Sequence, residues 1–335
     1  MKKVLLTGIS GYIGMHCAVE LVKQGYAVRG SVRSLNKADT LLKAISKHVD
    51  VNVQVEFCEL DLLKNEGWDE AVAGCDFVMH VASPFVSSIP KDENQLIKPA
   101  VEGTLRALKA AHKAGITRVV LTSSMVAMLG DVTGDSNINQ ESWTQVNSRN
   151  ATAYLKSKTL AEKSAWDFVK DKDLELVTVH PGPVYGPTLT NNLSGESMSL
   201  FKRVITGELK QMIHANINMS DVRDVAAIHV KALENSSAGN QRFIVASEAA
   251  HAYSEITQLL KQNGYDKVGI GVAPNILVKL MGLFNAEMKG MMPYVGKTYL
   301  ADISETKRIF DWQPVSFDKM VLDTAQSVKA ILNDG

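Results

Sequence analysis

The sequence predicts an α/β fold: a doubly wound parallel sheet of the Rossmann type, with a smaller, discontinuous α/β unit attached. Three observations predict it. Short apolar runs such as Val4-Leu5-Leu6 alternate with stretches of helical apolar period. Gly8, Gly11 and Gly14 stand between the first such run and the first helical stretch. The chain has 335 residues, 45% of them apolar and 21% charged, enough for a large core and for a second unit beside the first.

In residues 2–21 the apolar run leads into G-x-x-G-x-x-G, and Ile13, Cys17 and Leu21 follow at helical spacing. A tight turn, a backbone that a pyrophosphate can approach, and a helix packed close to its strand each favour a missing Cβ. The helix N-terminus then offers free amides and a dipole to the anion. The bare glycine triple arises by chance about 0.1 times in such a chain. Its place between strand and helix is what makes it a dinucleotide site.

Lys+Arg and Asp+Glu balance at 36 each, which excludes a global field for nucleic acid or an anionic membrane. No apolar stretch approaches the roughly 18–20 residues of a membrane span, and the N-terminus runs directly into a core strand, leaving no room for a signal peptide. Cys17, Cys58 and Cys75 fall in apolar elements without a C-x-x-C, so free thiols are expected. The eight histidines form no ligand pattern. These features predict a cytoplasmic, metal-free protein with no nucleic-acid or membrane partner.

Residues 27–33 read as the second strand. Its end sits where an acid would bind the ribose hydroxyl of NAD and an arginine the 2′-phosphate of NADP. Here stand Arg33 and, four residues on, Lys37, with no acid from Gly30 to Ala38, which favours NADP(H). Residues 35–48 read as a helix and 53–58 as the third strand. Asp61 follows, either as an acceptor for the adenine amino group or as a helix N-cap. The fourth strand, 77–82, holds His80 among apolar residues as a core histidine, and Ser83-Pro84 breaks it at the edge where such sheets bind ligands.

A helix over 93–114 and a fifth strand over 118–122 lead to Ser123 and Ser124 at the same edge. Residues 125–153 turn polar and read as a long surface loop. Tyr154 and Lys158 then open a helix reaching about residue 169, placed i and i+4 on one face. An ammonium beside a phenol favours the phenolate and lowers its pKa toward the range of an acid–base catalyst. Y-x-x-x-K alone is weak, with about 0.6 chance matches expected. The sixth strand, 174–180, ends in Pro181-Gly182-Pro183-Val184-Tyr185-Gly186-Pro187, a turn that continues no regular element.

Taken together, these pieces resemble the extended short-chain dehydrogenase/reductases, in the branch of dihydroflavonol 4-reductases, cinnamoyl-CoA reductases and yeast-type methylglyoxal reductase. The resemblance also includes Asp221-Val222-Arg223-Asp224-Val225-Ala226 and, near the end, Lys307-Arg308-Ile309-Phe310-Asp311-Trp312-Gln313-Pro314. It implies an NADPH-dependent reductase of a small carbonyl compound. Tyr154 would be the general acid, Lys158 would hold the nicotinamide ribose, and Ser124 would orient the carbonyl. Thr7, Gly8, Gly11, Tyr12, Ile13, Gly14, Arg33, Lys37, Asp61, Leu62, Val81, Ala82, Pro181 and Val184 would contact the cofactor. Ser83, Phe85, Met125 and Tyr185 would face substrate. Met125 and the 30-residue spacing from Ser124 to Tyr154 depart from the plant enzymes, which argues against flavonoid specificity.

Beyond Gly186, helices are expected over 196–205 and 221–233, and a strand over 242–246. The Met-rich stretch 273–295 reads as packing of a small helical domain. The expected division is 1–184 with 220–247 for the dinucleotide, and 185–219 with 248–335 for the substrate. A monomer or a homodimer pairing through 93–114 and 154–169 is expected. Two other readings use the same residues: a sugar-nucleotide epimerase, dehydratase or 3β-hydroxysteroid-type dehydrogenase, and a non-catalytic NADP sensor.

Overall fold

The computed structural model describes residues 1–49, 54–83 and 92–333. Seven strands form the central sheet: β1 (Lys3–Thr7), β2 (Ala27–Val32), β3 (Val55–Glu59), β4 (Phe77–His80), β5 (Arg118–Thr122), β6 (Glu175–Pro181) and β7 (Gln241–Val245). Their order is β7-β6-β5-β4-β1-β2-β3, and every pair is parallel. The order reverses beside β1, and that switch point opens a crevice at the carboxyl edge.

The period-2 alternation of side chains sorts the core into two layers. Val4 and Leu6 of β1 share one core with Cys17 and Leu21 of α1 (Tyr12–Lys23) and with Leu41 and Ile45 of α2 (Ala38–Ser46). Leu5 points the other way, into a core with Trp68 of α3 (Trp68–Val72), Leu108 of α4 (Asn94–Lys113) and Ala165 of α5 (Ala153–Val169). All five residues of β5 are buried, Arg118 included. Its guanidinium donates to Glu175 (2.6 Å) and to the carbonyls of Ala232 and Asn235. Cys17, Cys58 and Cys75 are free thiols, as expected.

The second unit carries α6 (Glu196–Ile205) and, beyond α7 (Val222–Glu234) and β7, α8 (Tyr253–Gln262), α9 (Asn275–Met281), α10 (Ala286–Met291), α11 (Ser304–Phe310) and α12 (Phe317–Asn333). Its four-stranded sheet orders His251–Ala252, Asn216–Ile217, Thr298–Ala301 and Ser136–Ile138. The last strand corrects the reading of 125–153 as a surface loop. Ser136–Ile138 pairs in parallel with Tyr299–Ala301, and Ala127, Met128, Leu129 and Val132 are buried. Apolar side chains dispersed in a polar stretch leave no period to read, yet they find the core.

The turn after β6 also contains more order than its prolines suggest. Val184–Tyr185 pairs with Ser220–Asp221, and the Gly182 amide donates to Ser220 Oγ (2.8 Å). The Met-rich stretch corrects the packing expectation in part: α9 and α10 bury only Val278, while Leu283 and Phe284 are 72% and 92% exposed. Helices of seven and six residues are too short to turn all their apolar side chains to one core. No helix among the described residues is long and apolar enough to cross a membrane.

Candidate active site

Gly8, at the end of β1, holds φ +72°, and its amide donates to the buried Ser31 Oγ of β2 (3.3 Å). Gly11 caps α1, and its amide donates to the Gly8 carbonyl (2.9 Å). A Cβ on Gly14 would lie 2.1 Å from that same carbonyl oxygen, so helix and strand approach as only glycine permits. No acid occupies the first turn of α1. A backbone cradle at a helix N-terminus free of negative charge fits a pyrophosphate.

The groups around this cradle divide into exposed and committed ones. Arg33 and Lys37 are exposed beyond the end of β2, and no hydrogen bond or ion pair of either side chain occurs among the described residues. Asp61 Oδ1 accepts from the Leu63 amide (2.9 Å), in a turn well ahead of α3, whose N-cap is Gly67. Asp61 therefore caps no helix. Leu62 packs over Gly103 of α4. The Thr7 hydroxyl pairs with His80 Nδ1 (2.9 Å) and accepts from the Ala82 amide (3.1 Å), tying β1 to β4. His80 is buried and its pKa falls to about 3 through desolvation, with the Lys158 charge adding to the effect. It is the core histidine the sequence predicts. Tyr12 donates to the Gly186 carbonyl (2.7 Å), which fixes the α1 N-terminus to the turn after β6, while the Ile13 side chain is half-buried.

At the opposite end of the crevice, β5 delivers Ser124 and α5 delivers Tyr154 and Lys158. The Ser124 and Tyr154 hydroxyls share a hydrogen bond. Ser124 Oγ also accepts from the Val126 amide (3.3 Å) and donates to the Pro181 carbonyl (3.5 Å). Thr152 caps α5 by accepting from the Leu155 amide (3.4 Å), so the helix begins just before the tyrosine. Burial pushes Tyr154 up to about 12; Glu196 adds to this and the Ser124 bond opposes it. Burial likewise brings Lys158 down to about 8, opposed by Glu162. Desolvation thus outweighs the expected lowering of the phenol by its lysine neighbour.

The comparisons with known proteins agree with this geometry. The family model described as "NAD dependent epimerase/dehydratase family" matches residues 4–246. The chain is 34% identical to cinnamoyl-CoA reductase CAD2 of Medicago truncatula, over 77% of this chain and 80% of that one. This chain belongs to the extended short-chain dehydrogenase/reductases. The structure of yeast methylglyoxal/isovaleraldehyde reductase Gre2 complexed with NADPH superposes with a TM-score of 0.80 at 25% identity, covering 99% of each chain. Gre2 of Candida albicans in complex with NADPH gives 0.78 at 25% identity, again over 99% of each.

Within this family member, other predicted contacts scatter. Val81, Ala82 and Ser83 are half-buried at the end of β4, and Val184 is half-buried beside Pro181. Met125, expected to face substrate, is 1% exposed, with its sulfur close against Gly182. Tyr185 is likewise buried, its ring tilted at 55° against Phe201 (5.3 Å between centroids) and its hydroxyl hydrogen-bonded to Tyr253. The short 184–185 strand turns Tyr185 into the interior, and Met125 is buried in the turn Met125–Ala127. Phe85 lies outside the described residues.

Sequence reasoning missed Glu162. Its carboxylate, 1% exposed, accepts from Ser123 Oγ (2.6 Å), His180 Nε2 (2.8 Å) and Arg242 Nε (2.7 Å). Its spacing of four from Lys158 repeats the Tyr154-to-Lys158 step and was the available signal.

Proposed function

We propose that this chain reduces a small aldehyde or ketone with NADPH, with Tyr154 as the general acid. It is an oxidoreductase that binds NADP(H), and its carbonyl substrate is a small molecule. The hydrogen-bonded Ser124–Tyr154 pair, with Lys158 one helical turn on, carries the reading. NADPH, when bound, supplies the hydride.

Gly8, Gly11 and Gly14 would hold the pyrophosphate, and Arg33 with Lys37 the 2′-phosphate. Val81, Ala82 and Ser83 would line the nicotinamide end. Tyr154 keeps its proton at neutral pH, so it rests as an acid ready to protonate a carbonyl oxygen. The nearby Lys158 ammonium favours the phenolate left behind, and Ser124 holds the oxygen in line. The substrate side would be built from 185–219 and 248–335 together with the strand Ser136–Ile138.

Loss of absorbance at 340 nm tests the assignment across a panel of aldehydes, ketones and flavanonols. Tyr154→Phe is expected to lower kcat about a thousandfold on any accepted substrate, the usual worth of a positioned acid. Near wild-type NADPH oxidation by the variant would overturn the mechanism. A protein purified with tightly held NAD, seen in its spectrum, would instead favour the epimerase chemistry of other family members.

A further inference from the structure

Glu162 is a carboxylate cut off from bulk solvent, and such a group costs stability unless it is paired. Here it is saturated. Oε2 accepts from Ser123 and His180, and Oε1 accepts from Arg242, Trp166 Nε1 (3.2 Å) and Thr178 Oγ1 (3.4 Å). Apolar residues of the same volume commonly serve stability as well as a buried ion pair does. Its position therefore says more than its pairing.

Glu162 and Lys158 are i and i+4 on α5, and both line a cavity of about 10 Å³ shared with Ala82, Ser83, Thr104, Thr122 and Ser123. That volume suits a single water, and the cavity wall supplies the several polar partners a water requires. Ser83 ends the strand that lines the cofactor edge, and Ser123 directly precedes Ser124. Arg242, which pairs with Glu162, also donates from Nη1 to the carbonyls of Gln140 (2.6 Å) and Ser142 (2.8 Å) and lies 3.7 Å over the Trp143 ring. The carboxylate thus links α5, the end of β5 and the segment between Ser124 and Tyr154.

We propose that Glu162 is a positioning residue for carbonyl reduction, fixing the Ser123 end of β5 and opposing the Lys158 ammonium across the shared cavity. Its kinetic readout rests on the reductase reading above. The titratable groups facing Lys158 are Tyr154 and Glu162 on its own helix and His80 on β4; α4 and β5 contribute the uncharged Thr104, Thr122 and Ser123. His80 is neutral at working pH, so Glu162 is the anion that opposes desolvation of the lysine.

The test compares wild type with Glu162→Gln in the full chain. In protein labelled with ¹³C at the lysine ε-carbon, the Lys158 resonance is identified by its loss in Lys158→Met and titrated with pH. Removing a negative neighbour about one helical turn away should move the Lys158 midpoint down by about one to two pH units. The alkaline limb of kcat against pH should move down with it. Because Gln leaves Arg242 as a lone buried charge, Glu162→Gln/Arg242→Met is made in parallel, and its midpoint should also fall. An unmoved midpoint in a folded variant would overturn the proposal, whatever the activity. A moved midpoint in a protein that turns over no carbonyl would support the place of Glu162 and overturn the reductase reading instead.

Discussion

Arg33 is the side chain we propose chooses between the cofactors. It ends β2 in solvent, near a turn in which Ser34 and Glu59 are already occupied with the amides of Asn36 and Leu35. A charge-assisted bond to a phosphate is worth about 1.5–3 kcal/mol. Arg33→Ala should therefore raise KM for NADPH roughly 10- to 100-fold and leave KM for NADH within about twofold. Steady-state assays with both cofactors check this, and equal losses for the two would reassign the residue. Arg33, Tyr154 and Lys158 could be proposed from the sequence because each stands at a set distance along the chain from another motif. Glu162 was not: its partners His180 and Arg242 lie 18 and 80 residues away, and no linear pattern displays such a cluster.

Among the elements, the β1–α1 junction is the least tolerant of change. Gly14→Ala would press a methyl against the Gly8 carbonyl, and overpacking of this kind costs about 1–3 kcal/mol. The same displacement should weaken NADPH binding at least tenfold, because Gly8 and Gly11 form the cradle. Gly134→Ala is the control, since nothing lies within 4 Å of its added carbon. Urea unfolding and a fluorescence titration with NADPH measure both effects. The inner sheet strands were readable for a related reason: buried on both faces, as in β5, they appear as apolar runs. Strands of two to four residues, such as Ser136–Ile138 and Thr298–Ala301, are too short to show a period, so the second sheet became visible only once folded.

For the molecule as a whole, Asp224 near the start of α7 anchors the final segment. Its oxygens accept from Trp312 Nε1 (3.0 Å) and the Val315 amide (2.8 Å). Nearby, Arg223 pairs with Asp323 of α12 (2.6 Å). Burial raises Asp224 to about 6 despite these donors. A carboxyl raised above its unfolded value contributes stability that is complete below about pH 4 and lost as pH rises through about 6. Asp224→Asn removes that dependence, so the stability of wild type relative to the variant should fall by about 2–3 kcal/mol between pH 4 and 7. Urea midpoints across that range test it, and parallel curves would show that Asp224 does not titrate there.

The small strand between Ser124 and Tyr154 has a consequence in time as well as in space. Ser136–Ile138 pairs with Thr298–Ala301, and the Thr298 amide donates to Asp135, 163 residues earlier (2.7 Å). During synthesis, the glycine cradle and all seven central strands are made before Thr298–Ala301, the partner of Ser136–Ile138. The strands and glycines of the cradle are therefore all in hand before the wall beside Tyr154 can close. Synthesis order thus completes the elements of the proposed dinucleotide seat before those of the proposed catalytic wall.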